Sequence, residues 1–101
     1  MLVIRWQAPV VPDKNQIREL FEAEGLDPQE EVFKPETLVD WHRHPFDEVR
    51  TVVQGELVFD VAGNQLLLRA GDRITIPSNT KHSFKIQGTE NCICLVAQKT
   101  I

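Results

Sequence analysis

The chain has 101 residues, 42% of them hydrophobic and 26% charged, which are ordinary values for one soluble globular domain. Its net charge of −4 argues against a nucleic-acid partner, because binding to phosphates needs a basic surface. The apolar residues 1–4 meet Arg5 at once and are too short for a secretion signal or a membrane span, so we expect a cytoplasmic protein.

The N-terminal part predicts one strand and one short helix. Residues 2–6 are apolar except for Arg5 and predict a strand that two following prolines end. Asp13 can cap a helix, Gln16 stands in the capping-box position, and Gly25 ends the helical pattern. Ile17, Leu20 and Phe21 form an apolar stripe on this helix. The stripe predicts a peripheral helix that closes one end of a sheet.

From Glu30 onward the pattern is that of β structure. Short runs rich in Val, Ile, Leu, Phe and Thr alternate with turn residues, at 49–53, 57–61, 65–68, 73–76, 82–86 and 93–98. So many strands in so few residues favour a closed double sheet, either a sandwich or a small barrel. We therefore expect an all-β single domain over residues 1–101, with the strand and helix in 1–29 and the barrel core in 30–101.

All three histidines and one glutamate form a candidate metal site. His42 and His44 are two residues apart, so on a strand both rings leave the same face. Glu48 lies an even number of residues further and returns to that face if Pro45 marks a bend, and His82 begins a later strand. Three imidazoles and one carboxylate suit a divalent first-row transition metal ion and would leave positions open on it.

A second interpretation of these residues needs no metal. A His-x-His pair on a surface strand is common, and a single interior histidine is usually a hydrogen-bonded core residue. The three histidines lie at only two places in the sequence, 42–44 and 82, and each place adjoins predicted strands and turns. This concentration favours the metal site. Asp47 has the wrong strand parity for a fifth ligand.

Cys92 and Cys94 lie two apart in the last predicted strand and can point at one place. They are either a soft metal pair or redox switch, or two small hydrophobic side chains of the core. The chain has no second cysteine pair of the kind that structural zinc sites use, so the core interpretation is favoured.

Two segments resemble the sequence motifs of the cupins. The first motif, His-x-His, three residues, Glu, six residues, Gly, matches the segment from His42 to Gly55. The second motif matches at Gly71, Pro77 and His82. The resemblance implies a small cupin-type β-barrel, also described as a double-stranded β-helix or jelly roll. It also implies one divalent ion (Fe, Ni, Mn, Zn or Cu) bound by His42, His44, Glu48 and His82.

Three positions depart from the cupin motifs. Glu36 stands where the first motif often begins with glycine, Asn79 replaces the glycine after Pro77, and Ile86 replaces a final asparagine. Asn79 is a mild change, because asparagine also tolerates a left-handed backbone.

Within the cupins, residues 47–50, Gly55 and 59–61 are similar to acireductone dioxygenases, as are residues 82–84. This similarity implies that Arg50 faces the cavity as a catalytic residue holding an anionic substrate oxygen, with Phe84 packed over it. The alternatives are an outward salt bridge for Arg50 and a plain core position for Phe84.

Three functions stay open from the sequence. The favoured one is a metal-dependent dioxygenase acting on a small enediol, diketone or similar metabolite. The others are a metal-dependent sugar isomerase or epimerase, for which no separate base is evident, and a module that binds a small molecule without turnover. A homodimer is also expected, because the core is small and Trp6, Trp41 and the edge of the first strand need cover.

Overall fold

The computed structural model describes residues 1–99, which form nine strands and one helix in two antiparallel sheets. The order β1-β7-β4-β9-β2 makes one sheet and β3-β8-β5-β6 the other. Thr100 and Ile101, the end of the expected domain, lie outside the described residues. The elements are β1 (Leu2–Ile4), α1 (Lys14–Ala23), β2 (Gln29–Phe33), β3 (Leu38–His42), β4 (Asp47–Gln54), β5 (Glu56–Val61), β6 (Asn64–Arg69), β7 (Arg73–Ile76), β8 (His82–Gln87) and β9 (Cys92–Lys99).

The helix α1 forms where the capping signals predict it. The Asp13 side chain accepts from the Gln16 N–H and the Gln16 side chain accepts from the Asp13 N–H, each at 2.9 Å. Ile17 and Phe21 are buried and form a small cluster with Val49, Leu95 and Ala97 of the five-stranded sheet. The peripheral position of the helix is thus confirmed, although Leu20 of the predicted stripe remains 53% exposed.

The first strand is shorter than predicted, since it ends at Ile4 rather than at residue 6. Beyond it the backbone N–H of Trp6 donates to a carboxylate oxygen of Asp72 at 3.0 Å. Gly71 lies so close to Trp6 that a Cβ there would be 2.7 Å from the Trp6 Cβ. The backbone leaves the sheet after Ile4, because the Trp6 N–H donates to the Asp72 side chain instead of to a neighbouring strand.

The main core fills the space between the two sheets. Its buried members include Val52, Leu57, Phe59, Ile74 and Ile76. Leu66 and Val96 are only partly buried and pack against this cluster.

Cys92 and Cys94 also belong to the core, with no exposed surface and their sulfur atoms 3.9 Å apart. The contact with Cys94 and burial raise the pKa of the Cys92 thiol, which therefore stays protonated at neutral pH. Their burial agrees with the prediction of two small hydrophobic side chains in a core strand.

Candidate metal centre

The histidines and Glu48 come from four separate places in the fold. His42 ends β3, His44 lies in the connection after it, Glu48 is the second residue of β4, and His82 begins β8. The prediction that His42, His44 and Glu48 share a face of one bent strand is wrong, because β3 and β4 belong to different sheets. The chain crosses from one sheet to the other between β3 and β4. This crossing, and not the alternation of side chains along one strand, brings His42, His44 and Glu48 together.

The three imidazoles lie close together. Their ligand atoms are all within 4.8 Å of one another, and His42 pairs directly with His82 across the β3–β8 ladder. The His44 Nε2 is 3.4 Å from a carboxylate oxygen of Glu48. Two ligand atoms that each bind one ion at about 2.1 Å can be no more than about 4.2 Å apart, so small side-chain adjustments suffice for the three imidazoles. Glu48 contacts His44 but is not part of this close group of ligand atoms.

Backbone carbonyls determine which nitrogen of two rings is free. The Nδ1 of His42 is 2.7 Å from the Asp40 carbonyl oxygen, and the Nδ1 of His82 is 2.8 Å from that of Thr80. A carbonyl oxygen can only accept, so each Nδ1 carries the proton and donates it. The Nε2 of each ring is left as an unprotonated ligand atom, the arrangement that metal-binding histidines use.

Within residues 1–99 the Nε2 of His82 has no hydrogen-bond partner, although this side chain is buried. Burial lowers the pKa of His82 below its ordinary value and outweighs the hydrogen bond to Thr80 and the charge of Glu48. A neutral imidazole with a buried, unpaired acceptor is costly unless something binds it. The residues present therefore fit a divalent metal ion.

A loop between β7 and β8 holds the segment that carries His44. The Asn79 N–H donates to the His44 carbonyl at 2.6 Å, and the Ser78 N–H donates to an Asp47 carboxylate oxygen at 2.8 Å. Asn79 has a φ of 58°, so its expected left-handed backbone is confirmed. The His44 ring stacks on Phe46 with centroids 4.8 Å apart, which further restricts its orientation.

Arg50 lies inside the protein, with 3% of its surface exposed. Its Nε donates to Glu48 at 3.4 Å, and its Nη2 is 2.8 Å from the Glu31 Oε1. Its Nη1 is buried and has no hydrogen-bond partner in the part of the chain that the structure describes. Burial alone would lower the pKa of Arg50, but the charge of Glu48, with smaller contributions from Cys94 and Glu31, raises it above its ordinary value. The guanidinium therefore keeps its charge beside the candidate ligands.

Two aromatic rings lie against the Arg50 guanidinium. Its central carbon is 4.8 Å from the Phe84 ring centroid and 5.9 Å from that of Phe59. Phe84 is 3% exposed and also packs edge-on against Phe33. Phe84 is therefore a core residue that also covers the guanidinium, and its packing over a substrate oxygen stays a prediction.

Glu31 is a residue of this site that the sequence did not predict. It lies on β2 opposite Cys94 of β9, and Cys94 faces the core. Strand parity with Phe33, which packs against the core, could have indicated that Glu31 turns the same way.

A cavity of about 530 Å³ adjoins the cluster. His44 and Glu48 form part of its wall, together with Glu31, Phe46, Asp27 and Gln29. A small molecule in this cavity would therefore reach two of the four candidate metal ligands.

Comparison with known proteins identifies the family. The sequence profile of the cupin domain family matches residues 29–97, more than half of the chain. The chain belongs to the cupin family. The expected cupin-type β-barrel with one short helix is thereby confirmed.

The similarity to acireductone dioxygenases is also found among characterised proteins. The acireductone dioxygenase of Bacillus licheniformis is 41% identical over 51 residues, a match that covers 46% of this cupin and 28% of the relative. That of Bacillus thuringiensis is 32% identical over 59 residues, covering 54% and 35%. This cupin chain thus spans about a third of the length of these relatives.

Solved structures share the fold at low sequence identity. A cupin 2 conserved barrel domain protein from Leptotrichia buccalis superposes with a TM-score of 0.67 at 21% identity, covering 98% of this chain and 40% of that one. A DMSP lyase from Ruegeria pomeroyi gives 0.68 at 22% identity, covering 74% and 38%. These likenesses concern the barrel itself.

Proposed function

We propose that this cupin is a metal-dependent dioxygenase that acts on a small enediol, diketone or similar oxygenated metabolite. Its metal would be one divalent transition ion bound by His42, His44, Glu48 and His82. The observation that carries the proposal is the convergence of three imidazoles, one of which has a buried Nε2 without a partner in residues 1–99. The relatives named acireductone dioxygenase support the reaction type.

A bound divalent ion supplies Lewis-acid chemistry and binds substrate oxygen atoms. The chain's own residues position the substrate around that point. The buried Nη1 of Arg50 has no partner among the described residues and would donate to a substrate oxygen that reaches it. Arg50 also holds Glu48 through its Nε, so the same guanidinium orients a candidate ligand.

An aromatic wall lies on the buried side of the site. Phe59 and Phe84 are buried against Arg50, and His82 lies beside Phe59 with ring centroids 6.1 Å apart. A dry wall strengthens the electrostatic contacts between Arg50 and a substrate oxygen. The geometry therefore favours a substrate that presents oxygen atoms to the histidine side of the cavity.

Oxygen consumption tests the proposed reaction. The protein is loaded anaerobically with Fe(II) or Ni(II), and uptake of O2 is recorded with a panel of enediols and diketones. We expect uptake with at least one compound, and a loss of about tenfold or more in Arg50→Gln, because a hydrogen bond from a charged donor contributes about 1.5–3 kcal/mol. Arg43→Gln, at an exposed position between the histidines, is the matched control and should keep the full rate.

Two other results would contradict the dioxygenase. Absence of oxygen uptake with every metal and compound would favour a module that binds a small molecule without turnover. Interconversion of sugar isomers without oxygen would favour an isomerase.

A further inference from the structure

The carboxylate of Glu31 stands between Arg50 and the cavity. Glu31 and Glu48 line the cavity wall, whereas Arg50 is not among the lining residues. The Glu31 side chain is 44% exposed and its Oε1 is 2.8 Å from the Arg50 Nη2, while the Arg50 side chain is only 3% exposed. A molecule that enters the cavity therefore meets the carboxylates before the guanidinium.

The side-chain charges around this cavity, counted without a bound ion, are negative. Its described lining contains the acidic residues Asp27, Glu31 and Glu48 and no lysine or arginine. Glu31 and Glu48 both contact Arg50, so one positive charge is already matched by two negative ones. A carboxylate or phosphate on a ligand would have to displace Glu31 or lie beside it, and like charges at short distance repel.

We infer that Glu31 is a specificity-determining residue that excludes anionic ligands from this cavity and admits neutral ones. The inference deepens the proposed function, because it concerns the ligand class of the same cavity. An admitted ligand uses uncharged oxygen atoms, such as hydroxyl or carbonyl groups. A ligand with a carboxylate gains access when Glu31 loses its charge.

The expected size of the effect follows from the exposure of the two partners. Glu31 is half-exposed, so solvent screens part of its repulsion. Its partner is buried, and removal of the Glu31 charge leaves Arg50 with only Glu48 as a close counter-charge. We expect an anion to bind about tenfold more tightly after this change, a ratio that corresponds to about 1.4 kcal/mol.

Calorimetric titration with two matched probes tests the inference. Glycolate and glycolamide have nearly the same shape and differ by one negative charge. Each is titrated into the full chain, with and without Zn(II), as wild type, Glu31→Gln and Glu30→Gln. Glu30 is the matched control, because it carries the same charge one residue away on β2 and pairs with Lys14 at 2.8 Å outside the cavity.

The inference predicts that Glu31→Gln binds glycolate about tenfold more tightly than wild type, that glycolamide changes less than about threefold, and that Glu30→Gln changes neither. An unchanged or weakened glycolate affinity in Glu31→Gln, or equal changes for both probes, would overturn it. Glycolate binding too weak to detect in both proteins would overturn it as well.

Zinc content measured on the same samples separates this inference from the proposed function. A wild-type protein that binds zinc but shows no selective gain for glycolate in Glu31→Gln contradicts only the role of Glu31. A protein that takes up no zinc, yet shows the selective gain, contradicts the proposed metal site and supports charge exclusion by Glu31.

Discussion

Backbone carbonyls two residues before His42 and His82 hold both rings by their Nδ1 atoms. The sequence predicted these residue types as metal ligands from their number and spacing. It could not predict the protonated nitrogen, because that depends on where the Asp40 and Thr80 carbonyls point. The bulge between Val39 and His42 in the β3–β8 ladder is likewise a backbone feature without a residue signature.

Asp72 is a second residue whose role depends on backbone partners. One of its carboxylate oxygens accepts from Trp6 N–H at 3.0 Å, and the other accepts from Arg69 N–H at 3.0 Å and from the Arg5 side chain at 2.9 Å. Burial alone would raise the pKa of Asp72, but these hydrogen bonds lower it below its ordinary value of 3.8. The ionised carboxylate therefore stabilises the fold.

The pH dependence of this contribution has a definite sign. Stability from a carboxyl group with a lowered pKa is present above the unfolded value near 3.8 and is lost as pH falls through the lower folded value. We expect Asp72→Asn to lose about 1–3 kcal/mol of unfolding free energy at pH 7, and less than that below pH 3.8. Urea unfolding at both pH values measures the difference, with Glu22→Gln on the exposed helix face as control. A loss that does not change with pH would contradict this account of Asp72.

Among the elements, the helix and most strands could be predicted, whereas their assignment to sheets could not. The capping box placed α1 correctly, since Asp13 and Gln16 satisfy each other's backbone N–H groups locally. Alternating hydrophobicity shows that a segment is a strand with one buried face, but it carries no information about which sheet the strand joins. For this reason the pattern cannot distinguish the crossing between β3 and β4, which separates His42 from Glu48, from the bend in one strand that the sequence predicts.

The β4–β5 turn gives a testable contrast between two glycines. Gly55 has a φ of 80°, and a Cβ there would lie 2.8 Å from the Asn91 carbonyl oxygen. Gly63, in the β5–β6 turn, has a φ of 89°, and a Cβ there would meet nothing within 4 Å. Both positions need a left-handed backbone, but only at Gly55 does a neighbouring backbone leave no room for a Cβ atom.

We expect Gly63→Ala to cost about 1–2 kcal/mol of unfolding free energy through backbone strain alone. Gly55→Ala should cost about 1–3 kcal/mol more, because the neighbouring strand β9 must also move. Chemical denaturation of the two variants provides the comparison. Equal losses would show that the approach of Asn91 does not constrain this turn.

At the scale of the whole molecule, the site joins the two sheets. His42 and His82 belong to the four-stranded sheet, Glu48 belongs to the five-stranded sheet, and His44 lies in the connection between them. The motif resemblance predicted the family, and the cupin profile that matches residues 29–97 confirms it. Glu31 escaped prediction because its contact with Arg50 depends on the packing of β2 beside β9.

Other whole-molecule expectations stay predictions. Leu2, Ile4 and Trp41 are 59%, 53% and 44% exposed, and β1 lies at one edge of its sheet, features that motivate the homodimer. No helix within residues 1–99 is long and apolar enough to cross a membrane. The single domain over residues 1–101 also stays a prediction.

Metal analysis of the purified and reconstituted protein tests the central claim most directly. We predict about one divalent transition metal ion per chain in the wild type, and loss of that ion in His82→Ala and His42→Ala, because each substitution removes one of four ligands. Arg43→Ala, at an exposed position between His42 and His44, should keep the ion. Absence of metal in the reconstituted wild type, or full retention in both histidine variants, would contradict the account.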